Sequence, residues 1–352
     1  MSFKPQCLAT AIGSFPHTDP DAAVGFILSE LRHVPVWPQL PNLGFRENMY
    51  VQYSENLPCV VFDDEHERIY FDTKGDVYSP LGTFLERVVS DDVDFFVITP
   101  SFSAGLPAFV NRMSKEKPET VRWVKGQVTG PISFGLTITD QDKRAILYHP
   151  ELYEAVLKGC VMNARWQVRK LKKVHPEIIL FIDEPYLSAF GSAFINIPRE
   201  QVIANLAEVI EGIHCEGGLA GIHCCGNTDW SILMETPIDV INFDAYEYFQ
   251  SITLYSTAIK GFFDRGGVLA WGIVPSGEAA ETESCTSLRA RFESGIDQLA
   301  AKGIDRDLLL ERALITPSCG MGGRSPDLTE KIIRLTSELS MEIRRQTLEI
   351  GN

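Results

Sequence analysis

Short apolar runs rich in β-branched residues recur along this chain, each followed by a turn signal and then a longer amphipathic stretch, and eight of them can be traced. Near-continuous apolar strands alternating with helices predict an α/β fold around a buried parallel sheet, and eight such units predict a TIM (β/α)8 barrel. An open doubly wound sheet would carry G-x-G-x-x-G after its first strand, and AIGSFP does not supply it. No internal repeat, low-complexity tract or Pro/Ser-rich linker splits the chain, so residues 1–352 are expected to form one domain.

The strands are predicted in CLATAIG (7–13), VPVWPQL (34–40), VRWVKGQV (121–128), IILFID (178–183), GLAGIHC (218–224), DVINFD (239–244), VLAWGIV (268–274) and ALITP (313–317). Helical spacing of apolar residues marks 150–174 and 199–213 between them. VVFDDEHERIYFD (60–72) alternates around a charged centre and reads as a small hairpin inserted after the second strand. DVDFFVITP (92–100) is a spare apolar run with no assigned place.

With 45% hydrophobic and 22% charged residues over 352 positions, the chain can bury a substantial core. Its net charge of −15 repels phosphate backbones, so no nucleic-acid partner is expected. No run of 18 or more apolar residues is free of charge, so no membrane span is expected. MSFKPQCLATAIGSF has neither the apolar stretch nor the cleavage site of a signal peptide. Eight scattered cysteines then suit a reducing compartment, and a cytoplasmic location is expected.

In a TIM barrel the site forms at the C-terminal strand ends. Here those ends carry Gly13 and Ser14; Gln127, Thr129 and Gly130; Asp183 and Glu184; His223, Cys224 and Cys225; Asp244; and Cys319 in TPSCGMGGRSPD. Side chains alternate along a strand, so His223 and Cys225 share a face and Cys224 points elsewhere. Cys319 would arrive as a third ligand. Two thiolates and an imidazole suit Zn²⁺ with a fourth position open or weakly held, for which Asp244 is the candidate. The competing reading makes the cysteines small buried hydrophobes and His223 a satisfied core residue. That reading wins for an isolated HCC triplet, but the second strand-end cysteine in PSCG reverses the balance. Such a zinc either activates water or binds and deprotonates a thiol, and charge donated by thiolate ligands favours the thiol.

AIGSFPHT (11–18), GQVTGPIS (126–133), FIDEP (181–185), HCC (223–225), DVINFD (239–244) and TPSCGMGGR (316–324) occur in this order. Together they resemble the C-terminal catalytic barrel of cobalamin-independent methionine synthases, over about residues 8–327. The wider superfamily includes uroporphyrinogen decarboxylase and the corrinoid-dependent methyltransferases of methanogens. The resemblance implies a methyltransferase with zinc on His223, Cys225, Cys319 and Asp244. The family has glutamate where this chain has Asp244, and Glu247 competes for that place. Homocysteine is implied as methyl acceptor, its carboxylate at Ile12, Gly13 and Ser14 and its ammonium on Asp183. A second amine-binding glutamate of the family would fall near Gly44, where Glu47 is the available substitute.

Three departures shape the expected donor. The family's N-terminal barrel, which helps bind polyglutamyl folate, has no counterpart here. Its proton-donating histidine after the seventh strand is missing from VLAWGIVPSGE. No folate-stacking aromatic can be assigned, although Trp230 and Trp271 lie near the right strand ends and packing explains both equally well. The resemblance therefore implies a single-barrel "core" form taking its methyl group from methylcobalamin or a methylated corrinoid protein. No D-x-H-x-x-G signature is present, so the corrinoid would be substrate or partner. A corrinoid:coenzyme M methyltransferase uses the same zinc site, but its acceptor has no ammonium for Asp183. A uroporphyrinogen decarboxylase would need arginines near the N-terminus, and none precedes Arg32.

Overall fold

The computed structural model describes residues 3–191 and 197–350. Seven parallel strands form one curled sheet: β1 (Leu8–Ala9), β4 (Val124–Thr129), β5 (Ile178–Asp183), β6 (Leu219–Cys224), β7 (Val240–Phe243), β8 (Val268–Val274) and β9 (Ala313–Pro317). Their order is β1-β9-β8-β7-β6-β5-β4. The hairpin falls where it was expected, as antiparallel β2 (Val60–Asp63) and β3 (Arg68–Phe71). Helices Pro150–Lys172 and Arg199–Cys215 match the two periodic stretches. The spare run at 92–100 holds a short 3-10 turn, Val93–Phe96.

The expected closed eight-stranded barrel needs correction: the ring is not fully closed by regular sheet. Residues 34–40 occupy the gap between β1 and β4 but make only isolated bridges, Val36 to Lys125 and Gln39 to Ser14. On one edge Gln39 N–H donates to Gly13 O (2.9 Å) and Phe15 N–H to Gln39 O (2.9 Å). On the other, Trp37 N–H donates to Lys125 O (3.2 Å) and Lys125 N–H to Pro35 O (2.9 Å). Pro35 and Pro38 have no N–H to give, so a continuous ladder cannot form. An apolar run with two prolines reads as a strand by hydropathy and is only half of one by hydrogen bonding.

The interior has two levels. Leu8, Val34, Ile179, Phe181, Val240, Val268, Ala270 and Leu314 fill the lower level as one apolar cluster. Towards the strand ends the inward positions turn polar and stay buried, at Gln127, Asp183, His223, Asn242 and Thr316, while Lys125 starts from the lower level beside Ile179. Outward-facing residues, including Ile182, Ile222 and Cys224, join the larger core beneath the helices. The switch from apolar to polar along one face, within the same strands, locates the functional end of the fold.

Candidate metal centre

His223, Cys225 and Cys319 come together as the sequence predicted. Their ligand atoms all lie within 4.8 Å of one another, the one such group of His, Cys, Asp and Glu side chains among the described residues. His223 lies on the inner face of β6, one residue before its end, and Cys225 follows two positions on. Cys319 is brought in by the loop after β9. That loop must press closely on the β1 end: a Cβ on Gly320 would lie 2.2 Å from Ser14 Oγ. Gly322 N–H donates to the same Oγ (3.3 Å) and Met321 N–H to Ser14 O (3.0 Å). Gly320 and Gly322 are thus needed for close approach, the latter because a Cβ would lie 2.5 Å from Pro41 Cγ.

The imidazole is oriented for a metal. His223 Nδ1 bonds Oδ1 of Asn242. The Asn242 amide is fixed by Nδ2 donating to Thr316 Oγ1 (2.8 Å) and Ala270 O (3.0 Å). With both amide donors committed, Oδ1 is the acceptor, so Nδ1 carries the hydrogen and Nε2 keeps its lone pair. Nε2 is buried and makes no hydrogen bond of acceptable geometry. Burial pulls this imidazole down, but the neighbouring Cys225 thiol and the Asp183 carboxylate outweigh it and leave it raised.

The two thiols behave as a pair. The adjacent Cys319 thiol, then the His223 imidazole, hold Cys225 well below its ordinary value. Cys319 is pushed up by that same bond to Cys225 and by burial. One thiolate is therefore favoured even before any cation arrives. Cys224 turns outward as expected, donates to Gly226 O (3.7 Å), and burial lifts it to about 12.

The adjacent carboxylates of IDEP divide their roles. Glu184 caps the Pro131–Thr137 helix, accepting from Ile132 N–H (2.9 Å), Ser133 N–H (2.8 Å) and Ser133 Oγ (2.6 Å). Gly130 exists for this contact, since a Cβ there would meet Glu184 Oε1 at 2.2 Å. Asp183 faces inward and its Oδ1 has no hydrogen-bond partner. Burial lifts it to about 6, against the charges of His223 and Lys125. An inward carboxylate with an open oxygen is a cation acceptor; a carboxylate holding three donors is a structural cap.

Two expected residues stand apart. Asp244 stays outside the three-residue cluster. Its Oδ1 accepts from Tyr246 N–H (2.9 Å) and Glu247 N–H (2.8 Å), which turns the chain after β7, and burial lifts it to about 6. Glu47 is buried and already engaged by Ala104 N–H and by Gln52 Nε2 (3.3 Å). Trp271 packs against Phe243, Phe249 and Phe292, and Trp230 against Phe243, so both belong to the core. Lys125, not singled out in the sequence, emerges at this end: it is fully buried and its Nζ donates to Ile12 O. The signal was one lysine inside an apolar strand.

Among the described residues no helix is long and apolar enough to cross a membrane. No family model matches the chain. No curated protein matches it. Among solved structures, a B12-independent methionine synthase from Shewanella sp. W3-18-1, in complex with selenomethionine, is similar at TM-score 0.48 and 17% identity, over 68% of each chain. A β-N-acetylhexosaminidase is similar at TM-score 0.46 and 11% identity, over 99% of this chain and 76% of that one. Similarities this distant leave the functional argument to the site itself.

Proposed function

We propose that this protein is a methyltransferase that methylates the thiol of homocysteine, with Zn²⁺ held by His223, Cys225 and Cys319. The observation that carries the reading is the convergence of a lone-pair-bearing Nε2, a favoured thiolate and a second thiol within 4.8 Å of one another. This donor set fits zinc, with room for a fourth ligand from Asp244, Glu247 or water. When bound, zinc supplies one thing: it lowers the pKa of an incoming thiol and keeps it a nucleophile.

The chain's own residues do the rest. Asp183, with its open Oδ1, accepts the substrate ammonium. The Ile12–Gly13–Ser14 turn, a loop of backbone N–H groups and a hydroxyl, cradles the carboxylate. Holding both ends of the amino acid aims its thiol at the cluster, and such positioning contributes several kcal/mol to transfer. Asn242 holds the imidazole in place.

For the donor, the reading is methylcobalamin or a methylated corrinoid protein. The new S–CH₃ bond forms as the cobalt–carbon bond breaks, its electron pair remaining on cobalt, so the leaving group needs no proton. That suits the absence of histidine in VLAWGIVPSGE, where a folate donor would need an acid for its leaving amine. The test is methionine formation by zinc-loaded protein from homocysteine with methylcobalamin or methyltetrahydrofolate. Turnover with methylcobalamin alone is expected. Turnover with the folate overturns the donor assignment. No methionine from either, with zinc bound, removes homocysteine as acceptor and brings coenzyme M forward.

A further inference from the structure

Lys125 is hard to explain as packing. It lies on β4, paired in register with Ile179 on β5, at the apolar level of the interior. Its side chain passes the Phe181 ring, with Nζ 4.2 Å from the ring centroid, and ends on the Ile12 carbonyl. No salt bridge joins it to any carboxylate among the described residues; burial pulls its ammonium down to about 7, and the Asp183 charge works against that pull. A buried ammonium without a close partner is costly, and an apolar side chain of equal volume would be cheaper here. The charge is therefore retained for what surrounds it. On one side it holds the carbonyl of the first residue of the 12–14 turn. On the other, past the Phe181 ring, the charge of Asp183 acts on it.

We propose that Lys125 is a positioning residue that makes the acceptor site selective for a zwitterionic thiol, one carrying both carboxylate and ammonium. The inference rests on the proposed thiol methylation and adds its specificity. By clasping Ile12 O, Lys125 fixes the direction in which the following backbone N–H groups point. Its charge adds positive potential beside the carboxylate cradle and partly balances Asp183 before substrate binds. A cationic pocket wall beside an anionic one is matched by a ligand of no net charge whose two ends are opposite in sign. An acceptor without the carboxylate meets Lys125 uncompensated; one without the ammonium meets Asp183 uncompensated.

The experiment compares three thiols with three carbons between sulfur and the charged group: homocysteine, 3-aminopropane-1-thiol and 4-mercaptobutanoate. Methylcobalamin is the donor, and the proteins are the zinc-loaded wild type, Lys125→Met and Lys125→Gln. Wild type is expected to prefer homocysteine over both truncated thiols. Either variant should raise KM for homocysteine about tenfold or more, with little change in kcat or zinc content, while KM for 3-aminopropane-1-thiol should not rise and should fall as the like charge is removed. Lys125→Gln keeps a donor for Ile12 O without the charge, so it separates clasp from field should Lys125→Met fail to fold. An equal rise in KM for homocysteine and 3-aminopropane-1-thiol overturns the proposal, as does an unchanged KM for homocysteine. Failure of both variants to fold places Lys125 in the fold alone and also overturns it. Wild type that methylates none of the three thiols is a different result, which defeats the parent reading and takes the proposal with it.

Discussion

Asn242 fixes which nitrogen of His223 faces the cysteines. Its amide oxygen bonds Nδ1, and its amide nitrogen is locked by Ala270 on the adjacent β8 and by Thr316 on β9 beyond it. A partner of this kind is half of a metal site, because it sets both tautomer and ring angle. Asn242→Ala is expected to weaken zinc binding about 10–100-fold while leaving all three ligands in place. Competition with a chromophoric chelator measures it. Unchanged affinity would mean the imidazole is oriented by something else.

The neighbouring cysteines make opposite predictions. Cys225→Ser should abolish stoichiometric zinc and methyl transfer together. Cys224→Ala should leave zinc content unchanged and lower stability by about 1 kcal/mol, as expected for trimming a buried core side chain. Metal analysis and urea unfolding of the two variants side by side distinguish them. Loss of zinc from Cys224→Ala would reverse the assignment of faces on β6.

Glu184 ties stability to pH. Burial raises it from its ordinary 4.5 to about 7, against the hydrogen bonds from Ser133 and Ile132. A raised folded-state value means the folded protein binds the proton more tightly than the unfolded chain does. Its contribution is then complete below about pH 4.5 and lost as pH rises through about 7. In Glu184→Gln that dependence should vanish. The variant should also be less stable by about 1–3 kcal/mol, because its new NH₂ faces a donor already there. Urea midpoints of metal-free wild type and variant at pH 5 and pH 8 test both points; parallel pH dependence in the two would refute the assignment.

Gly320 is predicted to be intolerant of a side chain. A Cβ there would sit 2.2 Å from Ser14 Oγ, so Gly320→Ala must turn the Ser14 hydroxyl out of its place or move the Cys319 loop. Overpacking of this kind costs about 1–3 kcal/mol. Because the displaced atoms belong to the metal loop and the carboxylate cradle, KM for homocysteine should rise as well. A variant with native stability and kinetics would show that the loop has slack.

What could be read from residues alone follows physical lines. Period-2 alternation on β6 placed His223 with Cys225 and sent Cys224 outward, because that rule depends only on strand geometry. The alternation of apolar runs with helices located six of the strands well. It failed at 34–40, where hydropathy says strand and two prolines deny the ladder its donors. It overstated the first strand, of which only Leu8–Ala9 is regular. Asp183 and Glu184 looked alike in sequence; only the Pro131–Thr137 helix, packed against one of them, separates cap from open carboxylate. Lys125 was hidden because nothing local distinguishes a lysine that bends to the surface from one that runs inward along the barrel.

The most direct test of the central claim is zinc K-edge X-ray absorption on the zinc-loaded protein, before and after homocysteine. Two sulfur ligands at about 2.3 Å and one imidazole nitrogen at about 2.0–2.1 Å are expected, rising to three sulfurs when homocysteine is added. A sulfur count that stays at two with saturating homocysteine, or a zinc with only oxygen and nitrogen neighbours, would contradict that claim.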